Sequence, residues 1–482
     1  MKILIDSNIF IPLEITSDGD IEANKDEVDS FYKKCLESGF TVYLHGEIVR
    51  DINRDKNDPR RNLRLLATNK YPKLDDVNYS DFVKAKIGLP QTDTHDYVDY
   101  HLLNALYCNA VNILVSNDIN IYKKAQKLDI EDRVYTLNDV DNLFSNLNNQ
   151  QVKIPPQVQS EKCYNIDVND PIFDTLKRDY KDFENWFRTK CQNEHRLCFI
   201  TRDNKNLSGI AIIKEEEPCC DMTGKILKLC TFKTSQNVSG NKFGEVLLRA
   251  IFDYCYQKNY SYLYVTAFES NFVCTFFENF GFEKYYEIKA DTGELIYRKL
   301  LYPDNTRKLL PLQYHVLFGP KYSSSQSDYF LVPIAPVYHE RLFPELEMHQ
   351  QLFPRNNSFS NGILKAYISK SRIKKIKKGD LLLFYRSEDE RTIQARGVID
   401  KINRVSDISD IISLTGKRTA YTLEEIKSTY NESEEILIIL FRQANSLNGK
   451  IKLSDIGVKS PPQSITQLSA EGKKCVDQIA IQ

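Results

Sequence analysis

The 482-residue sequence lacks an apolar run that is long enough to cross a bilayer. A membrane-spanning helix needs about 20 consecutive apolar residues. Residues 1–20 carry acidic side chains and show no cleavable signal pattern. We therefore expect a cytoplasmic protein without a membrane partner.

Paired cysteines are also missing. The 11 cysteines are scattered along the chain, and none of them belongs to a CxxC pair. The group of Cys219, Cys220 and Cys230 does not have the spacing of a zinc site. We interpret the cysteines as reduced thiols and not as metal ligands.

The sequence also lacks a large net charge: the formal net charge is −1 at pH 7. This charge is distributed unevenly along the chain. Residues 1–150 carry −7, residues 151–305 carry −1 and residues 306–482 carry +7. An anionic partner such as nucleic acid would be attracted to the last part. The uneven charge predicts that the parts have separate tasks.

Two polar, proline-containing stretches predict the domain boundaries. Residues 144–162 read as a linker, and Pro303, Asp304 and Asn305 are typical of a turn. A chain of this length usually holds about three domains of roughly 150 residues. We predict domains over 1–145, 163–303 and 304–482, with a linker over 146–162.

The first part alternates short apolar runs with helical patterns, which favours a parallel sheet. Strands are predicted over 2–5, 40–44, 112–116 and 133–137. The first strand ends at Asp6, a residue type that strand interiors disfavour. Asp6 therefore either caps the following helix or lies at the carboxyl end of a parallel strand, where open α/β sheets place their ligands.

Further acids follow the same arrangement. Asp51 lies on the helix after the second strand, Asp99 on the helix before the third strand, and Asp118 directly after that strand. Acids at one edge of a sheet repel each other, and a divalent hard cation would relieve that repulsion. Two such ions could activate water for phosphodiester cleavage.

The segments LIDSNIF, YLHGEIVRDINRDKND and VDYHLLNALYCNAVNILVSND resemble the PIN family of metal-dependent ribonucleases. The resemblance covers about residues 1–145. It implies that four acids bind Mg²⁺ or Mn²⁺ and catalyse RNA cleavage, namely Asp6, Asp51, Asp99 and Asp118. Glu47 is an alternative for the second acid, and Asp96 for the third. Ser116 and Asn117 match the polar pair before the last acid.

The middle part contains a strand, a glycine-containing turn and an amphipathic helix over 242–257. A turn that opens a helix exposes backbone N–H groups, and the helix dipole favours an anion there. A pyrophosphate would fit such a turn, although an ordinary loop explains it equally well. The turn consists of Ser239, Gly240, Asn241, Lys242, Phe243 and Gly244.

The order of elements over about 160–300 resembles the GNAT family of acetyltransferases. The resemblance implies that residues 239–244 bind the pyrophosphate of acetyl-CoA and that Asn271 meets the coenzyme near its pantetheine arm. Lys242 stands where the family commonly has a further glycine. Phe277 stands where many members have a tyrosine that protonates the departing thiolate, and a phenyl ring has no proton to donate. A base for the acceptor amine could come from Glu215, Glu216 or Glu217. Alternatively, these three acids form a solvent-exposed strand end.

The last part is rich in strands, predicted over 381–386, 392–400 and 435–441, which favours a small β-barrel. The segments GDLLLFYRS and ARGVID resemble the PUA-like group, including ASCH-type domains, and this resemblance implies contact with RNA. A basic run precedes the strand Leu381–Arg386. The run comprises Arg372, Lys374, Lys375, Lys377 and Lys378. It is either a solvated face or, with Phe384 and Tyr385, a nucleic-acid surface.

Together these observations predict an α/β plus α+β multidomain chain: a parallel-sheet PIN-like domain, a mixed α/β GNAT domain and a PUA-like barrel. The predicted function is an acetyl-CoA-dependent N-acetyltransferase, acting on an amine, fused to a divalent-metal-dependent ribonuclease and an RNA-binding module. The alternative is a regulatory or RNA-binding protein whose catalytic domains are degenerate.

Overall fold

A computed structural model describes most of the chain, in two compact units. The described residues are 1–17, 22, 24–74, 77–147, 158–203, 206–218, 221–235, 242–269, 272–288, 293–303, 308–346, 362–419, 421–430, 435–444, 447 and 449–481. The first unit comprises Met1–Gln151, Val405–Lys417 and Thr422–Ser433. The second comprises Val152–Arg404, Arg418–Tyr421 and Glu434–Gln482. The domain boundaries predicted from the sequence remain a prediction.

The first unit is built on a five-stranded sheet in the order β3-β2-β1-β4-β5, and all of its strand pairs are parallel. This confirms the predicted parallel sheet. Its strands are β1 (Lys2–Ile5), β2 (Thr41–His45), β3 (Lys73–Leu74), β4 (Ile113–Val115) and β5 (Val134–Tyr135). Its helices before the linker are α1 (Ser7–Leu13), α2 (Lys25–Glu37), α3 (Ile48–Asn53), α4 (Asp58–Ala67), α5 (Asp81–Ile87), α6 (His95–Tyr107), α7 (Ile119–Lys127) and α8 (Leu137–Leu147).

Two helices from far along the chain complete this first unit, α15 (Ile408–Thr415) and α16 (Leu423–Thr429). The Asn112 side chain donates to Asp410 over 3.0 Å, and the Tyr135 hydroxyl donates to the Ser413 carbonyl over 2.9 Å. Ile412 joins the apolar core of the unit. Burial of Ile412 explains why the segment 408–415 packs against the first unit. The local sequence pattern of this segment does not predict which part of the chain it contacts.

The second unit contains a mixed seven-stranded sheet in the order β11-β12-β10-β9-β8-β7-β6. The pair β9–β10 is parallel and the other pairs are antiparallel. The strands are β6 (Gln159–Lys162), β7 (Leu197–Asp203), β8 (Asn206–Glu216), β9 (Ile226–Thr234), β10 (Tyr262–Ala267), β11 (Glu283–Ile288) and β12 (Leu295–Leu300). The helices are α9 (Asp174–Asp179), α10 (Phe183–Trp186), α11 (Phe243–Gln257) and α12 (Phe272–Asn279), with a π-helix over Phe187–Gln192.

The rest of the second unit holds another sheet, in the order β14-β17-β16-β15-β13-β19, with β18 paired to β16. The predicted barrel is not confirmed, because no pairing among the described residues closes this sheet. Its strands are β13 (Tyr329–Ile334), β14 (Leu364–Ser369), β15 (Leu381–Arg386), β16 (Thr392–Val405), β17 (Ile436–Gln443), β18 (Ile451–Lys452) and β19 (Thr466–Gln467). The accompanying helices are α13 (Pro311–Phe318), α14 (Pro336–Leu342) and α17 (Ala470–Ile481).

The described helices include none that is both long and apolar enough to span a membrane.

Candidate functional site

An opening lies between β9 and β10, the two parallel neighbours of the mixed sheet. Their pairing runs from Ile226 and Tyr262 to Leu229 and Val265. Beyond that point β9 continues to Thr234 alongside β8, and β10 continues to Ala267 alongside β12. The described strands therefore part at their carboxyl ends, where backbone groups can meet an extended ligand.

Helix α11 begins beside this opening, and its first residues belong to the predicted pyrophosphate turn. Lys242 precedes the helix in the left-handed conformation, with φ of 62°. That conformation favours glycine, which agrees with the glycine that the GNAT resemblance places there. Phe243 is buried, and a Cβ added to Gly244 would lie 3.4 Å from the Phe276 ring, an ordinary contact. Ser239, Gly240, Asn241 and Asn271 lie outside the described residues.

Phe277 is buried in the apolar core that packs against the mixed sheet. The side chain is fully buried, and its ring centroid lies 5.2 Å from that of Phe232 and 4.9 Å from that of Phe282. The ring therefore contributes to packing. The structure gives Phe277 no role beyond packing.

Replacing Phe277 with tyrosine is expected to destabilise the second unit by about 1–3 kcal/mol and to leave acetyl transfer no faster. The added hydroxyl would be removed from water among the rings of Phe232, Phe276 and Phe282, and burying a polar group in such surroundings is costly. Chemical unfolding and an acetyl-transfer assay measure the two effects. Phe268→Tyr is the matched control, because Phe268 is 42% exposed at the end of β10. Faster transfer by the Phe277 variant at unchanged stability would contradict this assignment.

Two of the three candidate bases at the end of β8 have partners. Glu215 accepts a hydrogen bond from the Tyr260 hydroxyl over 3.1 Å and lies 3.7 Å from the Lys225 ammonium. Glu216 pairs with Lys214 at 3.2 Å. These contacts favour the solvated strand end over a base for these two residues.

In the first unit, Asp6 is both a helix cap and a buried carboxylate. It precedes α1 and accepts from the Ser7 backbone N–H over 2.6 Å, from Asn8 over 2.6 Å and from Ser116 over 2.7 Å. Burial raises its pKa to about 6, and the charges of Asp99 and Asp51 act in the same direction. Asp6 therefore caps α1 and also lies at the carboxyl end of a parallel strand.

The other acids of the predicted site lie at the same edge, but each has partners of its own. Asp51 accepts from Ser7 over 3.1 Å and pairs with Arg54 at 2.7 Å. Asp118 caps α7. The alternative residue Glu47 pairs with Arg50.

A single ammonium group bridges the remaining two acids. Lys124 lies 2.7 Å from Asp99 and 2.6 Å from Asp96. Burial raises the pKa of Asp99, and the interaction with Lys124 opposes this shift.

The predicted Mg²⁺ or Mn²⁺ site is not supported. Within the described ranges, no three His, Cys, Asp or Glu side chains form a group that could hold a metal ion. Instead, Arg54 pairs with Asp51 and Lys124 pairs with Asp99, so protein cations already compensate two of the four acids. The donor set does not fit the predicted ion.

The basic run of the last part lies on the surface between β14 and β15. Lys374, Lys375, Lys377 and Lys378 are all exposed. Phe384 and Tyr385 are buried in β15, so the prediction that these rings contribute to a nucleic-acid surface is wrong. Alternate side chains of this strand are enclosed on both faces of the sheet, which a short apolar run cannot reveal.

A polar network around α11 escaped the sequence analysis. Arg249 pairs with Glu345 at 3.1 Å and donates to Gln443 over 3.2 Å. The Gln443 amide in turn donates to Glu345 over 2.6 Å. The available signal was the spacing of Glu245, Arg249 and Asp253, since residues four apart share a helix face.

Two family models match the chain. Residues 160–282 match the Acetyltransferase (GNAT) family, and residues 351–458 match the Domain of unknown function (DUF365). The middle of the chain therefore contains a GNAT acetyltransferase domain, as predicted. Neither match covers residues 1–151 of the first unit, where the PIN-like assignment remains a prediction. No curated protein matches the chain.

Several solved structures are similar to parts of the chain. The ASCH protein of Zymomonas mobilis has 13% identity over 31% of this chain and 94% of its own, with a TM-score of 0.24. The PaiA N-acetyltransferase of Thermoplasma acidophilum, in complex with coenzyme A, has 17% identity over 30% of this chain and 99% of its own, with a TM-score of 0.24. An N-acetyltransferase of Staphylococcus aureus Mu50 has 16% identity over 30% and 98%, with a TM-score of 0.24. These similarities carry no argument about chemistry.

Proposed function

We propose that the chain is an N-acetyltransferase that moves the acetyl group of acetyl-CoA to an amine. The match of residues 160–282 to the GNAT family carries this proposal. The parted ends of β9 and β10 support it, because the free strand edges offer hydrogen bonds to the pantetheine arm. The catalytic domain would span 163–303.

The proposed coenzyme contacts divide between the turn and the opening. Ser239, Gly240, Asn241, Lys242, Phe243 and Gly244 would hold the pyrophosphate through backbone N–H groups at the start of α11. Asn271 would meet the pantetheine arm. Direct attack by the neutral amine would form the N–C bond and break the C–S bond. The amine proton would leave to a base or water, and the thiolate would take a proton from solvent, because Phe277 has none to give.

Calorimetry of the full chain with acetyl-CoA tests the binding step, and mass spectrometry of small amines and lysine peptides tests transfer. We expect saturable binding at micromolar coenzyme and an increase of 42 Da, about one acetyl group, on at least one amine. A complete absence of binding at millimolar coenzyme would overturn the proposal. Binding without transfer to any amine would favour the alternative, in which this domain only binds coenzyme.

A second candidate function is RNA binding by the last part of the chain. The exposed lysines between β14 and β15 support it, together with the charge of +7 over residues 306–482. These lysines are not enclosed by the fold, so phosphates can reach them.

Changing Lys374, Lys375, Lys377 and Lys378 to glutamine is expected to weaken RNA binding and to flatten its dependence on salt. Each lost phosphate contact removes roughly 0.7–0.9 from the slope of log affinity against log salt. Fluorescence anisotropy with a single-stranded RNA measures the slope. The matched control neutralises four exposed lysines of the first unit, Lys33, Lys56, Lys84 and Lys86. If the slope of log affinity against log salt is equal in the test variant and the wild type, the basic run is a solvent-exposed face that does not contact RNA.

For the first unit, we propose a PIN-like domain on the basis of its parallel sheet and the acids Asp6, Asp51, Asp99 and Asp118. The ion pairs of Lys124 and Arg54 favour the alternative in which cleavage has been lost. Incubating RNA with the protein in Mn²⁺ or in EDTA distinguishes an active ribonuclease from a domain that has lost cleavage. Intact RNA in both supports the degenerate domain, and Mn²⁺-dependent cleavage that Asp6→Asn abolishes supports the ribonuclease.

A further inference from the structure

The first turn of α11 carries a buried carboxylate at the helix end that would receive the coenzyme phosphates. Glu245 is the third residue of the helix, and only 5% of it is exposed. Burial opposes the charge, but Arg418, Lys242 and the Leu364 backbone N–H outweigh burial and hold the pKa of Glu245 below its usual value. Glu245 is therefore an anion at neutral pH.

Most donors to this carboxylate come from the C-terminal part of the second unit. The backbone N–H groups of Ile363 and Leu364 donate to Oε2 over 3.0 and 3.1 Å. The Arg418 guanidinium lies 3.4 Å from Oε1. The chain approaches closely at Gly362, where an added Cβ would lie 3.0 Å from Oε2.

Lys242 connects this cluster to the coenzyme turn. Its ammonium lies 3.9 Å from Glu245 Oε1, and its backbone is the last residue of the proposed pyrophosphate turn before α11. Glu245, Lys242 and Arg418 together carry a charge of +1. Without Arg418 the sum is zero, and the Glu245 carboxylate would repel a pyrophosphate at the same helix end.

We propose that Arg418 is a positioning residue of the acetyl-CoA site, which neutralises Glu245 so that the start of α11 accepts the coenzyme phosphates. This inference rests on the proposed acetyltransferase function. It makes the C-terminal part of the second unit a component of the coenzyme site. The GNAT domain is then expected to bind acetyl-CoA tightly only in the presence of that part.

A double-mutant cycle on the full chain tests the proposal by calorimetry with acetyl-CoA. Arg418→Met should weaken binding roughly tenfold, since one neutralising charge is lost next to a buried anion. Glu245→Gln should bind at least as tightly as the wild type. The double variant should recover to within about threefold of the wild type, because the charge that needed Arg418 is gone. Lys370→Met is the matched control, since it removes an exposed positive charge from the same part of the chain.

A phosphate-free substrate separates this electrostatic role from a structural one. With S-acetylpantetheine, which lacks every phosphate, the KM should be equal in the wild type and the Arg418 variant. A loss with both substrates, or a double variant as weak as the Arg418 variant, would make Arg418 structural and overturn the inference. Unchanged acetyl-CoA affinity in the Arg418 variant would overturn it as well. Failure of the wild type to bind acetyl-CoA would instead refute the proposed function.

Discussion

Replacing Gly281 with alanine is expected to lower the unfolding free energy of the second unit by at least about 3 kcal/mol. Gly281 has φ of 81°, which L side chains rarely adopt. The added Cβ would also lie 2.0 Å from the Val316 carbonyl oxygen and 2.8 Å from the Lys299 ammonium. Because the nearest clash is with backbone, the chain itself has to move.

The same clash would disturb a buried hydrogen-bonded group. The Lys299 ammonium donates to the carbonyls of Phe280, Val316 and Leu317 over 2.9, 3.0 and 2.6 Å. Burial lowers the pKa of Lys299 to about 7, so weaker hydrogen bonds would leave a buried amine poorly satisfied. Urea unfolding, monitored by far-UV circular dichroism, measures the loss.

Gly293→Ala separates the cost of the backbone conformation from the cost of the clash. Gly293 has φ of 71°, and its added Cβ would have one neighbour, a carbon of Phe268 at 4.0 Å. We expect this control to lose only about 1 kcal/mol. Equal losses in the two variants would show that the contact with Val316 is absent in solution.

Replacing Glu345 with alanine is expected to destabilise the second unit by about 3–4 kcal/mol. Its carboxylate pairs with Arg249 at 3.1 Å and accepts from Gln443 over 2.6 Å. Each side chain is only 19% exposed, and removing one partner of a largely buried ion pair leaves the other charge without compensation. Urea unfolding at pH 7 measures the change. The matched control is Glu184→Ala, which removes an exposed pair with Lys177, and its unfolding midpoint should match that of the wild type.

The pH dependence supplies a second readout for Glu345. Arg249 and Lys365 oppose the effect of burial and lower its pKa to about 2, below the ordinary value of 4.5. A carboxyl group with a lowered pKa stabilises the fold above its unfolded pKa, and that contribution is lost as the pH falls from about 4.5 through about 2. The wild type and the variant should therefore converge toward pH 2. A constant difference in stability across this range would show that Glu345 contributes through packing alone.

Local patterns in the sequence predicted much of the framework. Alternating apolar runs and helical patterns predicted the parallel sheet of the first unit, and the strand predicted over 381–386 is β15. The helix predicted over 242–257 begins one residue later, at Phe243. These predictions held because backbone geometry sets the periodicity of buried side chains within each element.

The candidate sites were predicted less completely, because their chemistry depends on partners that are distant in the chain. The acids of the first unit do share one edge of a sheet, as predicted. The ion pairs of Asp99 with Lys124 and of Asp51 with Arg54 could not be predicted from spacing, since a lysine on a helix usually faces solvent. The prediction that Phe384 lies on a nucleic-acid surface was wrong, because a strand pattern does not show whether both faces of its sheet are covered.

The sequence by itself indicated many of the elements and the parallel sheet, because these follow from short-range patterns of side chains, and the order of elements in the middle part gave the resemblance to the GNAT family. Only the tertiary structure decided which charges meet. Glu245 and Arg418 are 173 residues apart in the chain, and residues 405–417 pack into the first unit while Arg418 belongs to the second. Such contacts form because a buried charge requires a partner, and the chain finds that partner wherever folding brings it close.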